Sequence, residues 1–339
     1  MTAATITQST GAAHTRIMGV GAMRPERVVT NDEVCTWIDS SDQWIRERSG
    51  IATRRFARPE QTVVDLALPA CQDALAMAGV SPSDIDAVVV STVTWYLQTP
   101  SAAAVLAERL GATPAAAFDL SAACAGFCHG VGLASDMVRA GSARHVLVVG
   151  VEKLSDFTDL RDRKTAFLFG DGAGAVVVGP SDRPGIGPTL WGSDGAQADV
   201  ISQTEPWTAM RSEDGRTISG DWPSLAMAGQ TVFRWAVWQM APVAQKAMDA
   251  AGVRASDLAA FIPHQANVRI IDAMVKQLGL PPDLPVARDI EHMGNTSAAS
   301  VPLAMERMLS DGTAPHGGLA LLIGFGAGLV YAAQVVELP

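Results

Sequence analysis

The stretch Pro69–Ala87, PACQDALAMAGVSPSDIDA, decides the fold, because the chain carries it twice. Pro242–Ala260, PVAQKAMDAAGVRASDLAA, aligns with it without a gap at an offset of 173 residues. The identities include Gly79/Gly252, Val80/Val253, Ser83/Ser256 and Asp84/Asp257. Each copy reads as an alanine-rich helix, a glycine stop, a polar turn and an apolar strand. The predicted strands are Ile85–Val90 and Leu258–Ile262. Each helix also holds an interior proline, Pro69 or Pro242, which predicts a kink at the same place in both.

The parallel extends outward with looser spacing. Leu110-Gly111 ends a second helix in the first half, and Leu278-Gly279 does so in the second. Asp119-Leu120 precedes Cys124, as Asp289-Ile290 precedes Asn295. Val146–Gly150 and Leu319–Gly324 both read as buried strands. Each half is therefore expected to be a β/α unit of about five strands, in mostly parallel sheets sandwiched by helices. The join falls near Pro180–Pro184, giving a frayed tail over 1–14 and halves over 15–184 and 185–339. Trp191 to Leu225 matches nothing in the first half and is expected to form a cap, a loop or a subunit contact. In such folds ligands gather where strand C-termini face helix N-termini, so residues after strands in both halves should converge on one cleft.

Composition bounds the function classes. Of 339 residues 48% are hydrophobic and 18% charged, enough for a sizeable core and against general disorder. Lys and Arg number 25 against 35 Asp and Glu, a net charge of −10. That argues against a sequence-wide basic footprint for nucleic acid and against adhesion to anionic membranes. No secretory signal precedes the four cysteines, so free thiols in a reducing cytoplasm are expected. Cys124, Cys128 and His129 lie close together, but no second ligand pair stands at zinc spacing, and no metal is expected. Gly317–Val336 is uncharged, yet its glycines favour two short buried strands, Leu319–Ile323 and Leu329–Val336, over a membrane span.

Four segments could carry chemistry. Cys124, in Ser121–Phe127, opens an apolar helix running to about Arg139. A thiol at a helix N-terminus has its pKa lowered, which suits a nucleophile; a buried structural cysteine remains open. His264, in Pro263–Asn267, follows the strand Leu258–Ile262 and could donate a hydrogen bond or act as a base. Asn295, in Gly294–Ser300, is either a helix cap or a neutral donor to developing negative charge. Gly324–Gly328, GFGAG, lies between strands as a tight turn or as backbone that offers N–H groups to an oxyanion. Phe169–Ala175, FGDGAGA, precedes a strand rather than a helix, so it is no dinucleotide fingerprint and reads as a glycine turn near the cleft.

Together, Cys124 in AACAGF, His264 in PHQAN, Asn295 in GNTSAAS, GFGAG, FGDGAGA and the segment Ser41–Ile51 resemble β-ketoacyl-acyl-carrier-protein synthase III, of the thiolase superfamily. The resemblance runs from about Thr15 to the C-terminus and implies a thiolase-like α/β fold, two duplicated halves in a layered αβαβα sandwich. It implies that Cys124 takes an acyl group from acyl-CoA, with the backbone N–H groups of Cys124 and Ala327 as the oxyanion hole. Malonyl-carrier protein would then lose CO₂, with His264 and Asn295 stabilising the charge, and condense to a β-ketoacyl-carrier protein. By the same resemblance Trp44, Arg48, Arg163 and Asn267 would bind CoA, a substrate rather than a cofactor, and Lys164 stands where many members have glycine. Arg269 and Lys276, seven apart on one predicted helix, resemble a carrier-protein docking patch; a solvated basic face is the plainer reading. Thr99 lies in a loop that in this family reaches a partner subunit's acyl pocket, which implies a homodimer. Its modest size leaves room for short branched or longer primers beside acetyl.

Three other readings stay open. A related acyltransferase would use Cys124 to move the acyl group to an alcohol or amine without condensation. A scaffold would only bind carrier protein, which the complete Cys–His–Asn set argues against. A Cys–His hydrolase would need an activated water that no residue evidently supplies.

Overall fold

The duplicated segments fold alike in the computed structural model, which describes residues 4–212, 218 and 220–339. Helix α2 (Val63–Ala78) ends on Gly79 at φ +65°, and helix α5 (Gly229–Ala251) ends on Gly252 at φ +67°. A left-handed cap costs glycine little, so the same residue stops both helices. A 3₁₀ turn follows in each copy, Pro82–Asp84 and Ala255–Asp257. Then come strands β2 (Ala87–Ser91) and β7 (Ala260–Pro263). Both begin two residues later than the sequence suggests, because the turn takes up Ile85-Asp86 and Leu258-Ala259.

The first sheet adds β1 (His14–Met23), β3 (Ala116–Leu120), β4 (Val146–Lys153) and β5 (Asp171–Ser181), in the order β1-β5-β4-β2-β3. The second holds β6 (Leu190–Gly192), β7, β8 (Leu319–Gly326) and β9 (Val330–Glu337), in the order β7-β8-β9-β6. The sheets are mixed rather than mostly parallel. β2 pairs parallel with β3 and β4, but β5 runs antiparallel to β4 and β1. Likewise β7 and β8 are parallel, while β9 runs antiparallel to β8 and β6. Among the described residues the second sheet has four strands, not five. The counterpart of β3 shrinks to a parallel bridge from Phe261 to Val286. Pro281, Pro282 and Pro285 precede that bridge and lack the N–H donors a ladder needs.

Helices α4 (Gly126–Ala140) and α7 (Ser300–Ser310) lie between the sheets in one apolar core with Phe127, Val148, Ile262 and Leu322. α2 and α3 (Ala102–Leu110) cover the outer face of the first sheet. α5 and α6 (Val268–Leu278) cover that of the second. The result is the αβαβα sandwich of the thiolase-like fold. FGDGAGA is no turn: its Asp171 opens β5, and Gly172 and Gly174 lie inside the strand. A Cβ on Gly174 would stand 2.7 Å from Pro302 Cβ, so the glycines let α7 pack close. The uncharged C-terminal stretch is the hairpin β8–β9, and no described helix is long and apolar enough to cross a membrane.

The tail read over 1–14 touches the body of the protein from Ser9 onward. Ser9 Oγ donates to Ala140 O at 2.7 Å, Ala12 N donates to Val138 O at 3.2 Å, and His14 opens β1. The unmatched segment after Trp191 forms the small ladder Ile201–Gln203 with Leu225–Met227. It also brings Trp207 to 4.9 Å from Trp222, both against Tyr96. It therefore caps the cleft side of the first half.

Candidate active site

The two halves meet at a cavity of about 1280 Å³ bordered by Cys124, His264, Asn295, Ser297 and Ala327. Cys124 sits in a tight turn, Ala123–Ala125, just before α4. Ala123 at φ +45° turns the chain sharply after β3. Gly326 leaves the space the thiol needs, since a Cβ there would stand 2.8 Å from Cys124 Cβ and 3.0 Å from its Sγ. A helix N-terminus alone would lower the thiol pKa, and the structure reverses that expectation. Burial pushes the thiol up to about 12; the Ser297 side chain draws it down, and the charge of Glu152 raises it. Desolvation outweighs the helix end, so Cys124 rests as a neutral thiol.

His264 follows β7, and its amide donates to Ile323 O on β8 at 2.7 Å. Its Nδ1 is 2.7 Å from Ser300 Oγ, and its ring meets Phe325 edge-on at 5.2 Å. Burial lowers its pKa to about 3, so the imidazole is neutral near pH 7. Asn295 is held by its backbone: its amide donates to Leu168 O at 2.8 Å, and its carbonyl accepts from Gly170 N at 3.0 Å. FGDGAGA thus anchors Asn295 as well as letting α7 pack. The turn that follows, Ser297–Ala299, repeats the one carrying Cys124: Ser297 has φ +48° where Ala123 has +45°.

Trp44, Arg48 and Arg163 come together at the exposed rim. Trp44 lies on helix α1 (Asp42–Ser49) and packs edge-on against Phe167 at 5.2 Å. The Arg163 guanidinium lies 5.0 Å from the Trp44 ring centre, and that of Arg48 5.8 Å. Lys164 and Arg234 border the same cavity and add cations to the rim. Asn267 is committed within the protein: its side chain caps α6 by accepting from Arg269 N at 2.9 Å and donates to Arg48 O at 2.9 Å. It therefore positions Arg48. Arg269 borders the cavity with its guanidinium 5.0 Å from the Phe233 ring. Lys276 lies outside the cavity, exposed in the last turn of α6. Thr99 is exposed on a loop and does not border the cavity of its own chain. A further, apolar part of the wall is formed by Val93, Phe157, Leu225 and Met227.

Two residues beside the nucleophile escape sequence reading. Glu152, at the end of β4, is fully buried and accepts from Thr94 Oγ1 at 2.7 Å, Thr92 Oγ1 at 3.2 Å and the Val93 amide at 3.1 Å. The Ser297 side chain draws down the pKa of both this carboxylate and the Cys124 thiol. A glutamate directly after a buried strand's apolar run is the one available signal, a charge where a core position is due.

Comparison with known proteins shows what the chain as a whole resembles. The family model described as 3-oxoacyl-(acyl-carrier-protein) synthase III matches residues 118–195, and the model of its C-terminal part matches residues 248–338. The chain is 60% identical over 329 residues to β-ketoacyl-(acyl-carrier-protein) synthase III of Streptomyces glaucescens, covering 97% of this chain and 98% of that one. It is 59% identical to the corresponding synthase III 1 of Streptomyces coelicolor, covering 98% and 99%. The crystal structure of the priming β-ketosynthase from the R1128 polyketide biosynthetic pathway superposes with a TM-score of 0.94 at 50% identity, over 98% of each chain.

Proposed function

Because the chain belongs to the 3-oxoacyl-(acyl-carrier-protein) synthase III family, we propose that its cavity joins an acyl primer from CoA to a malonyl unit on a carrier protein. It is a condensing enzyme of the synthase III type, and an acyltransferase without condensation is not favoured. The observation that carries the division of labour is the convergence of Cys124, His264 and Asn295 from both halves on one cavity.

In the first step Cys124 Sγ attacks the thioester carbonyl of acyl-CoA. The bond to the CoA sulfur breaks, the thiol gives up its proton so that CoA departs as the free thiol, and the acyl group stays on Cys124. The N–H groups of Cys124 and Ala327 stabilise the oxyanion. Trp44 offers a flat ring for adenine, and the guanidinium groups of Arg48 and Arg163 pair with phosphates. Asn267 keeps Arg48 in place.

In the second step malonyl-carrier protein enters and loses CO₂. The released electron pair moves toward its thioester oxygen, where His264 and Asn295 donate hydrogen bonds. The carbanion equivalent then attacks acyl-Cys124, and the thiolate leaves. A base would be superfluous, since the substrate supplies the electron pair. A neutral histidine suits this step: its Nδ1 pairs with Ser300 Oγ, and the tautomer in which that hydroxyl is the donor carries the ring proton on Nε2, free to donate. Exposed Arg269 and Lys276 offer local cations to an acidic carrier protein. The apolar wall and the modest Thr99 of a partner subunit support acceptance of short branched and longer primers, in a homodimer.

Malonyl-carrier protein labelled in its free carboxyl tests the reading. Release of labelled CO₂ that requires acyl-CoA is expected. Transfer of the acyl group to an alcohol or amine without CO₂ release would overturn it.

A further inference from the structure

Behind the CoA rim lies a buried cation that neither step above uses. Arg54 stands in the short strand Thr53–Phe56, which pairs with Arg27–Thr30, and it has no exposed surface. It forms no ion pair among the described residues. The two carboxylates whose charge it feels are committed elsewhere, Glu33 to Arg27 and Asp42 to Arg46. Its hydrogen bonds go to neutral oxygens instead. Nη2 donates to Asn31 Oδ1 at 2.6 Å and to Phe167 O at 3.1 Å, and Nη1 donates to Val29 O at 3.3 Å. Burial lowers its pKa to about 10, so it stays charged at neutral pH. A buried charge without an opposite charge is costly, and three convergent acceptors are what offset it.

Two of those acceptors lead to the rim. Phe167, whose carbonyl is held, supplies the ring against which Trp44 packs edge-on at 5.2 Å. Asn31 passes the restraint to both ends of α1. Its Nδ2 donates to Asp42 Oδ1 at 2.7 Å, at the first residue of the helix, and to Ile51 O at 2.9 Å, just past the glycine that stops it. Trp44 and Arg48 lie between those two points. The stem of Arg54 serves another part of the site. A Cβ on Gly294 would stand 3.0 Å from Arg54 Cβ, and one on Gly170 would stand 3.3 Å from it. The stem therefore lies against the two segments that anchor Asn295, while the guanidinium serves the rim.

We propose that the Arg54 guanidinium is a positioning group for the nucleotide end of CoA: by fixing Phe167 and both ends of α1, it holds Trp44 and Arg48 in their binding arrangement before acyl-CoA arrives. This rests on the reading that the rim binds the adenine and phosphates of CoA. An arrangement fixed in advance spares the ordering cost on binding. Arginine suits the task because its planar fork reaches several oxygens at once, whereas a lysine ammonium is a single point of charge.

Acylation by two thioesters of one acyl group tests the proposal. One is acyl-CoA; the other carries the acyl group on N-acetylcysteamine, which has the thioester arm without adenine or phosphates. Arg54→Lys keeps the charge and the stem contact at Gly170 and Gly294 but loses the fork. It should raise KM for acyl-CoA about tenfold or more and change kcat about twofold at most. Its kcat/KM for the N-acetylcysteamine thioester should stay within about twofold of the unaltered enzyme. Asp42→Ala cuts only the half-exposed arm of the same network. It should raise KM for acyl-CoA about threefold or more with the same split, and it decides the matter where circular dichroism shows Arg54→Lys unfolded. An unaltered KM for acyl-CoA in either folded variant, or equal losses with both thioesters, would overturn the proposal. Equal kcat/KM of the unaltered enzyme for the two thioesters would instead overturn the reading of the rim, and the proposal with it.

Discussion

Asn295 Oδ1 accepts a hydrogen bond from the Ser297 amide at 2.8 Å. An asparagine has one acceptor and one donor end, so this bond turns its NH₂ group away from the turn and toward the cavity. The residue is therefore oriented as a donor before substrate arrives. Asn295→Ala should slow condensation about a hundredfold to a thousandfold, the usual loss for one oxyanion donor. Acylation of Cys124 should survive. Separate assays of CoA release and of β-ketoacyl product check this, and equal loss of both would refute the assigned role.

The neutral state of His264 has a consequence in pH. Its folded-state pKa lies well below the ordinary histidine value, at about 3. Acidifying from pH 8 to about 5 therefore leaves the ring uncharged, and no loss near the ordinary value of about 6.5 should appear from this group. Condensation started from pre-acylated enzyme isolates this step. His264→Gln keeps a neutral donor and should retain more condensation than His264→Ala.

At the rim, Arg48 and Arg163 flank Trp44 from different parts of the chain. Either Arg→Ala change should raise KM for acyl-CoA about tenfold to a hundredfold, with kcat much less affected. In the unaltered enzyme KM should rise with ionic strength, and the gap between it and the variants should narrow, because exposed charges are screened. Steady-state kinetics across a salt series measures both effects.

Primer choice follows from the apolar wall of Val93, Phe157, Leu225 and Met227. Propionyl-, isobutyryl- and longer acyl-CoA should prime the enzyme as well as acetyl-CoA. A panel of kcat/KM values checks this. Turnover of acetyl-CoA alone would contradict it.

Much of the fold is legible in the sequence because it is written twice. The repeat at Pro69 and Pro242 exposes the helix, cap, turn and strand of each half, and their pairing puts Cys124 and His264 after strands of the two halves, with Asn295 in the turn that answers the one carrying Cys124. The hairpin β8–β9 is readable from its glycines for the same local reason. What escapes is long-range. The glycines of FGDGAGA look like a turn until α7 is seen packed against Gly174. The proline-rich stretch at Pro281–Pro285 reduces a strand to a bridge only in the presence of its neighbour Phe261. The thiol's rise reflects burial by distant segments, which outweighs the helix end visible in the local sequence. The strand end that holds Glu152 and the turn that begins at Ser297 lie far apart in the chain and come together only once both halves are folded.

The central claim is that Cys124 carries an acyl group that condensation then removes. Intact-mass and peptide mass spectrometry, taken after acyl-CoA and again after malonyl-carrier protein, tests it most directly. The account predicts one acyl adduct, located on Cys124 and absent from Cys124→Ala. Its disappearance on the second addition should match the β-ketoacyl-carrier protein formed. No adduct on Cys124, or an adduct that malonyl-carrier protein leaves in place, would contradict it.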